Sequence, residues 1–373
     1  MQIVELGRDK KRKDKLHSFI INVFTQIITL IIVLSPLLNT LGKDSLIFKY
    51  SYYCIAFICS CFCFNSLNRL LAVTGSSFCL GILIFLDLGC ALSLALGIIC
   101  SLSTYRNKQE FSSAIIHITY FQLALSIAQL FGVNEYVYLF ANYNNPPSTY
   151  QQWSLSQNVT TTFLPQIRPS GLFPSPTYSS LFLCSVLLSI FIKRELSLLS
   201  SIIIGLLISV SGSTFSLLII LICVILFIKT YWGKAIILSY IVGMLLYFAS
   251  LSDIFLYNYN IYDFCDSISC RFIPENNLSE SVLFQSTSGS IFVICSLMIL
   301  IFFSLKQIIH KPYIILPATV ILFPVLVHNV ASSVVYFFLS ALSIKVAYDA
   351  YAKNKRPSKK YTELLKCAEY QKE

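Results

Sequence analysis

Residues 18–41 read SFIINVFTQIITLIIVLSPLLNTL, 24 positions without one charged side chain. About 20 predominantly apolar residues suffice for a helix to cross the hydrocarbon core of a bilayer. With no water there, each backbone N–H and C=O must be satisfied inside the spanning structure, which leaves helices and closed barrels. Barrel strands alternate polar and apolar positions, and this stretch runs apolar without alternation. It therefore predicts a membrane helix. Arg8, Lys10, Lys11, Arg12, Lys13 and Lys15 precede it. The apolar run is too long for the central region of a signal peptide, and no clear small-residue cleavage site follows, so the reading is a retained first helix.

The same pattern recurs along the chain. Hydrophobic residues make up 56% of it and charged residues 12%, against roughly 25% charged in soluble domains. Apolar blocks fall at about 18–41, 45–64, 70–86, 88–103, 111–131, 178–192, 196–212, 215–230, 235–253, 283–304, 312–329 and 331–348. The expected fold is all-α, a polytopic integral membrane bundle of about twelve transmembrane helices with two long extracytoplasmic loops. A basic segment 1–17 precedes one membrane domain, 18–348, and a charged tail, 349–373, follows it. Two stretches, 70–102 and 196–228, are nearly unbroken and could each be one long helix or two short ones. Charge decides between these. With the N-terminus inside and both stretches split near Asp87-Leu88-Gly89 and Ser211-Gly212-Ser213, all but Lys43, Lys49, Arg168 and Arg271 of the 27 Lys and Arg lie on the cytoplasmic side. Merging the first stretch alone turns Lys193-Arg194 and the basic tail outward, against the bias of basic residues toward the cytoplasm. Both termini are therefore expected inside. No internal repeat is evident, so an inverted-repeat transporter is not indicated.

The net charge of +10 is spread in short clusters between apolar blocks, as topology requires. It does not form a nucleic-acid footprint, and no nucleic-acid partner is expected. Most of the 13 cysteines lie inside apolar blocks, where they act as small hydrophobes. Cys265 and Cys270 sit instead in a polar outer loop and are candidates for a disulfide. There is no paired CxxC, no DxD and no His/Asp/Glu cluster at ligand spacing, so no metal is expected. His117, in the middle of the fifth block, is expected to make a helix–helix hydrogen bond.

Two outer segments are long, about 132–177 and 253–281, and long loops in compact proteins tend to carry function. Their aromatics include Tyr136, Tyr138, Tyr143, Tyr150, Trp153, Tyr257, Tyr259 and Tyr262. Each is open to two readings, an interfacial belt residue or a platform for a sugar ring. Arg168 and Arg271 are the basic residues of these loops, one in each, and topology does not explain them. A guanidinium grips phosphate bidentately and keeps its charge.

The sequence Arg168-Pro169-Ser170-Gly171-Leu172-Phe173-Pro174-Ser175-Pro176-Thr177, just before an apolar block, resembles the loop signature of Wzy-type O-antigen and capsular polysaccharide polymerases. That signature is close to R-x-S-G-L-F-x-E-P-S followed by a helix. Arg168, Ser170, Gly171, Leu172, Phe173 and Pro176 match. Ser175 stands where Glu is usual, and Thr177 where Ser is common. Val210-Ser211-Gly212-Ser213-Thr214 resembles a second small-residue element of the family, with Thr214 where Arg is frequent. His328-Asn329 is similar in placement to a late His of the related O-antigen ligases.

The resemblance implies a glycosyltransferase of the outer face of the bacterial inner membrane. It would join oligosaccharide units carried on undecaprenyl diphosphate into lipopolysaccharide O-antigen or capsule, with no nucleotide sugar and no cofactor. A flippase and a chain-length regulator are implied as possible partners. Fixed cations stabilise the departing diphosphate, so Arg168 and Arg271 are the catalytic candidates, together with His328. Asp253, Asp263, Asp266, Glu275, Glu280 and His328 are candidates for a general base. Ser170, Gly171, Phe173, Tyr178, Asp263 and Asp266 are the expected substrate contacts. A ligase, or a flippase for the same lipid-linked unit, remains open, although nearly charge-free spans argue against a polar transport cavity.

Overall fold

The computed structural model describes residues 2–41, 46–64, 66–85, 88–130, 171–173, 176–193, 195–211, 214–250, 319–321 and 333–355. Every regular element among them is helical. In chain order these are α1 (Gln2–Val33), α2 (Ser35–Leu41), α3 (Leu46–Cys63), α4 (Leu67–Phe85), α5 (Leu88–Arg106), α6 (Lys108–Leu130), α7 (Pro176–Lys193), α8 (Leu198–Val210), α9 (Thr214–Phe227), α10 (Tyr231–Ser250) and α11 (Val334–Lys355). Among the described residues, three stretches are long and apolar enough to cross a membrane, Lys15–Val33, Leu88–Arg106 and Lys108–Ala128. Large apolar side chains point outward along several helices, among them Ile47, Leu83, Phe121 and Leu238. Such a surface suits lipid rather than water and marks the chain as a membrane protein.

Both long apolar stretches are divided, as the charge argument required. The first becomes the hairpin α4–α5, in which a Cβ on Gly81 would lie 2.7 Å from the Cα of Ala91. The second becomes α8 and α9. Ser197 caps α8, its hydroxyl accepting the Ser200 N–H at 3.2 Å, and satisfies one of the free donors at a helix start. At 13 and 14 residues these helices rise about 20 Å each, short of the roughly 30 Å hydrocarbon core. The apolar pattern had overstated their reach, because Ser197 and the break after Ser211 cut the helices inside it.

Three other boundaries differ from expectation. The helix of the first block is interrupted at Leu34. Pro36 has no N–H for the Ile32 carbonyl and its ring crowds that turn, while Leu34 N still bonds Leu30 O and Leu38 N still bonds Leu34 O. The basic segment 1–17 falls almost wholly within α1. The final helix runs on to Lys355, seven residues past the expected end of its block. Blocks 283–304 and 312–329 lie outside the described residues apart from helical 319–321.

Many serines and threonines inside the helices are satisfied locally, whereas the buried hydroxyls of Thr104 and Ser340 have no hydrogen-bond partner among the described residues. Thr25, Thr29, Ser60, Thr119 and Ser189 each donate to the carbonyl four residues earlier, at 2.8 to 2.9 Å. A hydroxyl bonded in this way costs little in an apolar surrounding. Small residues also let helices close in. Gly205 of α8 lies against Ser239 and the Ile236 carbonyl of α10, and Gly243 lies against Ser209. This close packing of small residues is usual between membrane helices. The two contacts advance together, so α8 and α10 run parallel, and α9 joins them in the chain. α6 and α7 run antiparallel, since Gln109 Nε2 donates to Ile192 O at 3.5 Å and Ser112 Oγ to Ser189 O at 3.0 Å.

One end of the bundle gathers the basic residues. Arg106 donates to the Cys63 carbonyl at 3.2 Å, joining the ends of α5 and α3. Lys108 and Lys345 both lie over the Tyr105 ring. Cys59, Cys63, Cys100, Cys184 and Cys223 are buried as small hydrophobes, whereas Cys54 and Cys79 face outward. His117 departs from its expected role. It is exposed, and its Nδ1 lies 2.7 Å from the Ser113 carbonyl of its own helix. The ring faces away from the neighbouring helices, so the i−4 carbonyl is its hydrogen-bond partner.

Candidate functional site

The described part of the candidate site is Gly171-Leu172-Phe173 and the wall it docks against. Gly171 has φ +59°, a left-handed conformation costly for a residue with a side chain. The turn brings the backbone onto Gln122 of α6. A Cβ on Gly171 would fall on the carbon, nitrogen and oxygen of the Gln122 carboxamide. Glycine is required here on both counts.

Gln122 is fully buried. Its Oε1 accepts the Leu172 N–H at 2.7 Å, and its Nε2 donates to Ser179 Oγ of α7 at 3.4 Å. A buried amide without partners is expensive, and here each end of the carboxamide is used. Phe173 is 1% exposed, its ring centre 5.3 Å from that of Phe182. Burial of such a ring stabilises the docked turn by roughly 1.5–3 kcal/mol. One side chain from α6 and two from α7 thus hold the turn just before α7 begins.

The docked turn lies far from the basic end. Gln122 is fourteen residues along α6 from Lys108, about 21 Å at 1.5 Å per residue. Toward that same far end, α2, α3, α4, α5 and the start of α11 line a cavity of about 810 Å³. Asn39, Tyr53, Phe57, Thr74, Ser93 and Ser333 are among its walls, and no described lining residue is charged. The Asn39 amide is held by two tyrosines, accepting from Tyr52 and donating to Tyr53 at 3.4 Å. The volume falls within the usual range for ligand pockets, about 300–1,000 Å³.

Of the residues singled out from sequence, Gly171 and Phe173 are brought together with Gln122, Ser179 and Phe182. Both are buried, so what they contribute in this structure is anchorage of the turn. Tyr178 lies in the first turn of α7, and its side chain is outside the described set. Arg168, Ser170, Asp263, Asp266, Arg271 and His328 lie outside the described residues, as do Asp253, Glu275, Glu280, Cys265 and Cys270. Among the described residues, no three His, Cys, Asp or Glu side chains converge as metal ligands do. Sequence reasoning missed Gln122. Its signal was present, a long polar amide in the apolar run Ala114–Ala128, which a membrane helix tolerates only with partners. The partners themselves are 50 or more residues away in the chain.

Among the described residues the architecture defines a class, a helical membrane protein with the turn 171–173 docked at the end opposite Arg106, Lys108, Lys193 and Lys345. No protein-family model matches the chain, and no curated protein or solved structure matches it either.

Proposed function

We propose that this chain is a Wzy-type polymerase of lipid-linked oligosaccharides, a glycosyltransferase of bacterial polysaccharide biosynthesis. The observation that carries the reading is the Arg168–Pro176 motif, whose Gly171, Leu172 and Phe173 are held by Gln122 and the head of α7. The cavity toward the same end, whose described lining residues are uncharged, supports a substrate that presents hydrocarbon and neutral sugar.

In the proposed reaction an acceptor sugar hydroxyl attacks the anomeric carbon of the growing chain. The carbon–oxygen bond to undecaprenyl diphosphate breaks, its electron pair passes to the diphosphate, and a base takes the hydroxyl proton. Arg168 and Arg271 stabilise the negative charge that builds on the leaving group. Asp263, Asp266 and His328 are the candidates for the proton or for sugar hydroxyls. The bond to diphosphate supplies the driving force, so no cofactor is invoked. In this proposal the protein lies in the inner membrane with about twelve membrane helices, two of them (α8 and α9) short, both termini cytoplasmic and the two long loops outside. The gathering of Arg106, Lys108, Lys193 and Lys345 at one end of the bundle supports that sidedness.

Deletion and restoration of the gene, read on a gel of surface polysaccharide, tests the proposal. Loss of the long ladder with a single unit left on the core is the expected result. Lipid-linked polymer accumulating unattached would assign a ligase instead. Single units trapped on the cytoplasmic face would assign a flippase, and an unchanged ladder would end the proposal.

A further inference from the structure

The basic end carries a side-chain cluster that the proposed reaction does not use. Tyr105, near the end of α5, has the Lys108 ammonium 4.7 Å from its ring centre and the Lys345 ammonium 5.2 Å from it. Lys108 Nζ also reaches the Tyr105 hydroxyl at 3.5 Å. Lys345 comes from α11 and lies 5.3 Å from the Tyr348 ring and 3.5 Å from Asp349 Oδ1. Three elements therefore bring two ammonium groups to one aromatic ring.

The placement of Lys108 is electrostatically costly. It opens α6, where the helix dipole is positive and a cation is disfavoured, and Arg106 lies two residues before it. The charged groups around Tyr105 on these helices are Arg106, Lys108 and Lys345 against Glu110 and Asp349. Glu110 is turned to α1, where it accepts from Gln26 Nε2 at 2.7 Å. The sum is positive, and the first N–H groups of α6 add to it. Tyr348, on the same helix as Lys345, is 57% exposed. An exposed tyrosine beside lysines is characteristic of the depth at which lipid headgroups lie.

We infer that Lys108 and Lys345, joined over Tyr105, form a binding site for the phosphodiester of an anionic phospholipid in the leaflet at the basic end of the bundle. The two ammonium groups hold the phosphate oxygens, and Tyr105 fixes both lysines by cation–π attraction. The bound lipid ties α5, α6 and α11 together at that end. The inference rests on the chain being a membrane protein and is independent of the polymerase proposal.

The test uses the full-length protein in detergent, with melting temperature and native mass spectrometry as readouts. Phosphatidylglycerol, phosphatidylcholine with the same chains, and inorganic phosphate are the three probes. Phosphatidylglycerol should raise the melting temperature and remain as a one-lipid adduct, and the other two should do neither. A Lys108→Gln/Lys345→Gln variant should weaken that binding about thirty-fold, roughly five-fold for each lysine near an anionic lipid. Lys108→Arg/Lys345→Arg should keep it, which separates lost charge from lost folding. Equal effects of the two lipids, or undiminished phosphatidylglycerol binding by the Gln variant, would overturn the site. Stabilisation by inorganic phosphate equal to that by lipid would overturn the assignment to a lipid.

Discussion

Replacing Gly171 with alanine tests whether the turn before α7 is held as described. At φ +59° a left-handed alanine costs about 1–2 kcal/mol. Its Cβ must also displace the Gln122 carboxamide, which accepts from Leu172 N and donates to Ser179. Leaving a buried N–H unpaired costs about 1–3 kcal/mol more. The total, about 2–5 kcal/mol, is comparable to the burial of Phe173 and is sufficient to undock the turn. Gln122→Ala alone should cost about 1–3 kcal/mol, because it removes the same acceptor. The double variant should then be about as destabilised as Gly171→Ala alone, since there is no carboxamide left to displace. The coupling would be about 1–3 kcal/mol, large for a cycle between residues this far apart in sequence. Thermal unfolding in detergent measures stability, and the polysaccharide ladder measures function in the same four proteins. Strictly additive losses, or a Gly171→Ala protein as stable as the parent, would refute the clamp.

Further predictions follow from the same geometry and from the proposed reaction. Arg168→Ala should abolish chain extension at unchanged membrane abundance, and Arg168→Lys should remain poor because an ammonium cannot bind phosphate bidentately; full activity of either, by ladder analysis, would remove the proposed role. Gly205→Leu should destabilise the bundle by several kcal/mol, since its side chain must displace α10 at Ser239 and Ile236 and overpacking alone typically costs about 1–3 kcal/mol; an unshifted unfolding temperature would contradict the contact. Without reductant, Cys265 and Cys270 should escape thiol labelling if bridged, and labelling of both would exclude the bridge.

The sequence by itself determined that the chain is a set of apolar helices. Runs such as 18–41 have no other way to satisfy their backbone in lipid. It also indicated that the two longest runs divide, because Lys193, Arg194 and the basic tail can join the basic N-terminus on one side only if both are split. It singled out Gly171 and Phe173 only through the resemblance of Arg168–Pro176 to a known loop signature. It did not reveal the break at Leu34 or the few residues by which α8 and α9 stop short of their apolar blocks, because hydropathy averages over the caps that end helices. Nor did it pair α8 with α10, whose close approach depends on Gly205 and Gly243 meeting serines more than 30 residues away. Only the tertiary structure decided that Gln122 is the partner of the Gly171 turn and that Lys108 and Lys345 meet over Tyr105. Those contacts join helices distant in the chain, and a buried amide or a surface lysine carries no mark in sequence of the partner that packing will bring to it.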